Sequence, residues 1–439
     1  MKRKVLLFSL SLATCITSVF AENLTGIKET EDKHITTEST TVEKSRLSFG
    51  GYGEAVMSRM FYSNNYKRYS KADEYKNDPS HGQFDLPHVT FFVGYNFGKG
   101  WKFFSEIEFE HGGTESAIEI ENEENGEYES EVERGGEVAL EQFWIQKTFN
   151  DAFNLKMGHL IVPVGYTNGH HTPTEFFGVY RPEGENTILP CTWHETGVSL
   201  WGKVKKWRYE LMFIAGLDAD RFSEMNWVKG GAGSPYEFKI ANSYAGVARI
   251  DNYSVPGLRL GLSGYVGNSA ANTLKQYQYS DVKGTVLIGA FDFDYKGHNW
   301  IARGNFDYGN LSNSKKISEI NVATGKDSPS PRTNVAKSAI AIGVEAGYNI
   351  FSQISSMRQQ ERELYLFARY DYYDSMHKTV KSILDKPYCK RNVITAGVNY
   401  FPLKNIVIKG EYSARMFDKE YNNEPTISLG IAYAGMFTK

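Results

Sequence analysis

The residues best equipped for chemistry sit together in Asn168–Pro190, NGHHTPTEFFGVYRPEGENTILP. His170, His171 and Glu175 are metal-ligand types, or an acid–base pair, and Arg181, Glu183 and Glu185 add charge of both signs. A metal ion would need several of these donors to converge. Adjacent residues on an extended chain point to opposite sides, so His170 and His171 do not share one ion by spacing alone. His159 and His194 flank the stretch and approach it only if it folds back, and the chain has no helical His-x-x-x-His pair. No nucleophile stands beside a base, and scattered Ser, His and Asp are unavoidable in a chain of 439 residues. The spacing thus predicts no catalytic residue, no metal site and no cofactor, and the chain reads as a non-enzyme. The glycines of Gly230–Pro235 are no phosphate cradle, because no helix pattern follows them.

What these residues do depends on the elements that carry them. The net charge of -3 does not suit a nucleic-acid partner. Aromatic residues make up 14% of the chain, yet the mean hydropathy is -0.44. That combination is expected where apolar and polar residues alternate along transmembrane strands. MKRKVLLFSLSLATCITSVFA, residues 1–21, has the basic start, apolar run and small-residue end of a cleaved signal peptide. Residues 22–45 are polar, rich in Thr and Glu, and read as a flexible periplasmic leader, leaving 46–439 as the folded body. No later stretch reaches about 18 consecutive apolar residues, so a membrane-inserted form would have to be a barrel. Cys191 and Cys389, the cysteines left after the leader, read as free thiols.

From Arg46 onward the apolar residues recur every second position. Trp101, Phe103, Ile107 and Phe109 fall on one face, against Lys102, Glu106, Glu108 and Glu110. Leu258, Leu260, Leu262 and Val266 oppose Arg259 and Ser263, and Ile408, Tyr412 and Met416 oppose Lys409, Glu411 and Arg415. A helical period does not sort these residues, whereas a strand does. The pattern predicts strands near 47–61, 84–97, 101–111, 138–149, 153–164, 194–204, 207–216, 243–252, 257–267, 284–296, 298–309, 339–350, 363–373, 391–401, 404–416 and 425–437. The links alternate short and long, with 351–362 and 417–424 breaking the rule. This asymmetry, with about sixteen strands, predicts an all-β, transmembrane antiparallel barrel, with both termini on the periplasmic side. The same alternation also serves a soluble sandwich. The signal peptide, the link asymmetry and aromatics near strand ends (Trp101, Trp300, Tyr308, Tyr348) favour the membrane. Inward-facing charges are then Arg249, Arg259, Arg303, Arg369, Lys409 and Arg415.

Residues 157–202 contain MGHLIVPVG and RPEGENTILPCTWHETGVSLWG. Through Gly158, Pro163 and Gly165, then Arg181-Pro182, then Pro190, Trp193 and Gly197, this run resembles the phosphate-selective porin O and P family of Gram-negative outer membranes. The resemblance implies a sixteen-stranded, usually trimeric porin whose third outer loop folds into the barrel and narrows it. It also implies arginines along the pore and lysine at the constriction. Here the loop Tyr166–Thr192 has no lysine, and its one arginine, Arg181, stands against Glu175, Glu183 and Glu185. An anion in a narrow pore needs fixed positive charge in place of its lost hydration. The sequence therefore points to a general diffusion channel for small hydrophilic solutes or ions, phosphate and other anions among the candidates. The constriction would be lined by His170, His171, Glu175, Arg181, Glu183 and Glu185. Expected partners are outer-membrane lipid and lipopolysaccharide, the solutes themselves, and two further copies in a homotrimer. The acidic run Glu115–Glu137 is a solvated outer loop or a divalent-cation or lipid-headgroup contact, and the Tyr370–Asp374 run marks a strand end or a sugar platform. A barrel-anchored surface-binding or adhesion protein without an open pore is the alternative function.

Overall fold

The computed structural model describes residues 46–113, 117–120, 132–232, 240–273, 276–325 and 333–438. The predicted signal peptide, 1–21, the predicted leader, 22–45, and most of the acidic run lie outside them. Sixteen staves form one continuous antiparallel sheet: β1 (Leu47–Met60), β2 (His81–Asp85 and His88–Gly98), β3 (Trp101–Glu110), β4 (Glu137–Asn150), β5 (Phe153–Ile161), β6 (His194–Val204), β7 (Trp207–Ala215) and β8 (Tyr244–Asn252). They continue as β9 (Leu258–Asn268), β10 (Thr285–Gly297), β11 (Trp300–Leu311), β12 (Ser338–Asn349), β13 (Glu363–Lys378), β14 (Lys390–Leu403), β15 (Ile406–Met416) and β16 (Glu424–Met436). Each stave pairs with the next, and β1 pairs with β16 from Gly50↔Met436 to Met60↔Thr426, so the sheet closes without a free edge. Closure satisfies every ladder on both sides of each stave.

Period-two patterning decides which face looks where. In β10 the outward Leu287 and Phe291 are exposed, while Val286, Ile288, Asp292 and Asp294 on the other face are buried. The same holds for Leu260 and Leu262 against Arg259 in β9, and for Ile408 and Tyr412 against Lys409 in β15. The outward side chains, Leu260, Leu262, Leu287, Phe291, Ile408 and Tyr412 among them, form an apolar belt around the barrel. Trp300 and Tyr348 pack ring to ring at 5.0 Å at the short-turn end, with Trp101 exposed at the same level.

Several elements depart from the sequence expectation, two of them at prolines. β2 starts at His81 and breaks at Leu86-Pro87, since proline has no N–H to give the ladder. β5 stops at Ile161, two residues before Pro163. β13 runs five residues past the expected end, to Lys378. The long link after β11 contains a helix, Ser314–Gly325, and the irregular link 351–362 is compacted into helical turns, Ile350–Gln353 and Ser355–Gln359.

The interior is also fuller than a polar lumen. Towards the long-loop end, Leu217, Phe222, Trp227, Ile317, Val335 and Tyr388 from the links pack against the inward residues Ile214, Val247, Tyr265, Ile288 and Ala341 of the wall. Sixteen strands enclose more space than their own side chains fill, and here links occupy much of it.

Candidate functional site

The segment joining β5 to β6 is held at its root by Asn168. Its amide donates to the carbonyls of Val162 and Trp193 (3.1 Å to the latter), and its oxygen accepts from the Trp193 N–H at 2.5 Å. One side chain thus ties both ends of the segment together. Gly165, three residues earlier, is at φ +75°, a backbone region open to glycine, and a Cβ there would collide with the Glu185 carboxylate. The Gly165 N–H donates to Ser263 Oγ (3.0 Å), and its carbonyl accepts from Arg249 (2.8 Å).

Further along, the segment meets the opposite staves. Phe177 stacks on Phe367 at 5.2 Å and leaves room for no side chain at Gly347. Lys409 Nζ donates to the carbonyls of Phe176 (3.1 Å) and Gly178 (2.6 Å), with the ammonium 4.1 Å from the Phe176 ring centroid. The Val179 N–H donates to Glu411 at 2.8 Å, and Tyr180 Oη shares a hydrogen bond with Ser58 Oγ at 3.2 Å. Loop residues are therefore held against β8, β9, β12, β13, β15 and β1.

The six loop residues singled out by sequence divide into groups. His170 stacks on Tyr166 at 4.4 Å, on the side of Arg259 and Asp294, while His171 faces Tyr52 at 6.0 Å. The adjacent histidines do point apart. Burial, reinforced by Arg259, pulls the His170 imidazole well below its ordinary range, and burial with Arg181 beside it takes His171 down to about 4. Both are neutral at pH 7. Glu175 is buried and accepts from Thr172 Oγ1 at 2.8 Å. Arg181 reaches Glu108 on β3 at 3.5 Å and donates to the His171 carbonyl at 3.2 Å. Glu183 accepts from Arg415 at 2.7 Å and from Tyr373; burial disfavours its charged form, but Arg415 and Arg391 overcome that and hold it below the usual carboxylate range. Glu185 accepts from Thr167 N–H (3.2 Å) and Oγ1 (3.1 Å), and burial, with Asp292 adding to it, pushes it up to about 7.

All six wall cations lie on the inward face, and the five arginines among them pair with carboxylates. Arg249 pairs with Asp251 (2.8 Å) and Asp292 (3.0 Å), and Arg259 with the same two aspartates. Arg303 meets Glu345 at 2.6 Å, directly opposite it on the next stave. Arg369 meets Asp371 at 2.6 Å, and Arg415 meets Glu424 at 2.9 Å. Lys409 holds the loop carbonyls already described. Cys191 and Cys389 are free, and burial raises the Cys191 thiol to about 12.

Against the loop lies a cavity of about 930 Å³, bounded by β1–β4 on one side and β13–β16 on the other. Arg181, Glu183, Arg369 and Arg415 line it, with Glu54, Asp85, His88, Glu108, Glu110, Glu141 and Glu424. Sequence reasoning missed Glu54, His88, Glu141 and Glu424. Glu141 was hidden because β4 carries a bulge opposite Glu106/Ile107, which turns Glu141 and Gln142 to the same side.

No family model matches the chain. An uncharacterised protein of Aquifex aeolicus (strain VF5) is 28% identical over 393 residues, 87% of this chain and 78% of that protein. Among solved structures, OprB of Pseudomonas putida superposes with a TM-score of 0.51 over 88% of this chain and 94% of its own, at 11% identity. The outer-membrane channel DcaP of Acinetobacter baumannii gives 0.50 over 88% and 96%, at 11% identity. The anion-selective porin of Comamonas acidovorans gives 0.50 over 88% and 99%, at 10% identity. At these identities the likeness is one of fold: the chain has the closed, sixteen-stranded barrel of the porins.

Proposed function

We propose that the chain is an outer-membrane diffusion channel for small hydrophilic solutes and ions, in which the segment between β5 and β6 is the constriction. The observation that carries this is the pairing of an apolar outer belt with a charged inner face around a loop-bounded cavity of about 930 Å³. Such a belt needs an apolar surround, and a closed sheet is the strand arrangement that a bilayer admits. His170, His171, Glu175, Arg181, Glu183 and Glu185 set the constriction in this reading, and Arg249, Arg259, Arg303, Arg369, Lys409 and Arg415 belong to the inward wall. Ten Asp and Glu side chains line the cavity against five Arg and Lys side chains, which favours cations over anions. Phosphate and other anions are then minor permeants. The kinship with the phosphate-selective porin O and P family rests on the Gly158, Pro163, Gly165, Arg181-Pro182, Pro190, Trp193 and Gly197 pattern, and it brings a homotrimer and lipopolysaccharide contact with it. Residues 1–21 are the removed signal peptide and 22–45 the periplasmic leader of this reading.

A second reading is favoured by the packed links: Trp227, Phe222, Ile317 and Tyr388 are buried inside the wall, as in a plugged barrel that serves as an anchor for surface binding. Purified protein in a planar bilayer separates the two. Steady single-channel current with a cation-favouring reversal potential in a KCl gradient is expected, and absence of current above background overturns the channel reading in favour of the plugged barrel.

A further inference from the structure

Beside the cavity, three donors from distant parts of the chain converge. Glu106 on β3, Glu141 on β4 and His171 on the loop each present a ligand atom, and these atoms lie within 4.8 Å of one another. All three residues are almost wholly buried, at 0%, 1% and 2% exposure. One carboxylate oxygen of Glu106 and one of Glu141 have no hydrogen-bond partner, although neither is open to solvent. A buried carboxylate oxygen left bare is costly, and two glutamates this close repel unless protons or a cation stand between them. Arg181 does not supply that cation in full, since its contact is with Glu108 at 3.5 Å.

The surroundings orient each donor as an outer shell does around a metal. His171 Nδ1 lies 3.0 Å from the Asn168 carbonyl, which makes Nδ1 the protonated nitrogen and leaves the ring lone pair on Nε2. The second oxygen of Glu106 accepts from the Gln142 amide, whose own oxygen accepts from Trp144 Nε1 at 3.1 Å, so the amide cannot turn over. The second oxygen of Glu141 accepts from Tyr52 at 3.4 Å. The bulge in β4 puts Gln142 beside Glu106 and aims Glu141 inward in the same stroke. Glu141 lines the cavity, which supplies an entry path.

We propose that Glu106, Glu141 and His171 bind one divalent first-row transition ion of the Zn²⁺ type. One imidazole and two carboxylates are a donor set such ions accept, with further positions left for water. Ligand atoms around a tetrahedral zinc stand about 3.3 Å apart, so side-chain movements of roughly 1 Å close the set. The ion ties the loop to β3 and β4, a link that stands whether or not the barrel conducts.

The test uses the full chain, folded, stripped with a chelator and dialysed against Zn²⁺ alone, with bound metal counted by elemental analysis. One Zn²⁺ per chain is expected, together with a rise in Tm on loading. Glu106→Gln, Glu141→Gln and His171→Gln should each weaken retention by more than about tenfold, the loss that even an outer-shell partner causes. Because an isosteric variant could still misfold, Co²⁺ loaded into the unaltered protein gives a second readout: visible bands of a four- or five-coordinate site. No retained Zn²⁺, or retention indifferent to all three substitutions, overturns the proposal. So does retention lost in His88→Gln but kept in His171→Gln, which would place the ion on the neighbouring His88, Glu108 and Glu110. Conductance does not enter this result, so its failure and that of the channel reading are distinct.

Discussion

Arg181 of the loop and Glu108 of β3 meet at 3.5 Å in the lining of the cavity, both with side chains less than a tenth exposed. Arg181 is the loop's one arginine and stands against the acidic wall of β1–β4. Removing it uncovers Glu108 and thins the positive charge beside Glu54, Glu110 and Glu141. Arg181→Ala is expected to raise the cation-to-anion permeability ratio severalfold, read as a more cation-selective reversal potential in a KCl gradient. Arg181→Lys should retain part of the native value. An unchanged reversal potential in Arg181→Ala removes this residue from the ion path.

The loop tip depends on Lys409, whose ammonium donates to two backbone carbonyls, Phe176 and Gly178. Hydrogen bonds to a charged group contribute about 1.5–3 kcal/mol each. Lys409→Met keeps the length of the side chain and loses both bonds. Limited proteolysis should then cut within 162–193 at enzyme concentrations that leave the native loop intact, and single-channel recordings should become noisier. A native cleavage pattern would show that Phe177, Tyr180 and Glu411 fix the tip without Lys409.

The barrel was legible in the sequence because its cause is local. Alternation of Leu260, Leu262 and Val266 with Arg259 and Ser263 follows from which face meets which surroundings, and the eye can count it. Period two also makes Arg249 and Asp251, or Arg369 and Asp371, same-face neighbours, so those pairs could be read off the chain. Arg303 with Glu345 could not, since their meeting depends on the register between β11 and β12. The loop was legible only in composition. Its fastening by Asn168, Lys409 and Glu411 joins residues more than two hundred positions apart in the last two cases, and no periodicity records such contacts. Glu141 was lost for the opposite reason: one extra residue in β4 breaks the period on which the face assignment rests.

Gly347 offers a steric test of the same loop. The Phe177 ring lies against its α-carbon, so a methyl group there must push the ring away. Overpacking of this kind costs about 1–3 kcal/mol. Gly347→Ala is expected to lower the Tm and alter single-channel conductance, while Phe177→Ala in the same chain should recover much of the Tm loss, because it removes the colliding ring. If the double variant loses the sum of both single effects, the ring and Gly347 are not in contact in solution.

Glu185 gives the loop a pH dependence whose sign can be worked out. Burial pushes its folded value up to about 7, above an ordinary glutamate near 4.5. Between these limits the folded state holds a proton that the unfolded state has released, so folding is progressively disfavoured as pH rises through the window, and the loss is complete above about 7. At higher pH the carboxylate is ionised beside Gly165 and in the field of Asp292. Its bonds from Thr167 offset part of that cost but not all. Cleavage of the 162–193 segment by a protease of pH-independent activity is therefore expected to accelerate from pH 5 to pH 8. Glu185→Gln, which cannot ionise and keeps an oxygen for Thr167, should flatten the profile at its low-pH level. A native profile that is already flat, or a Glu185→Gln variant that still accelerates with pH, assigns the effect to another group.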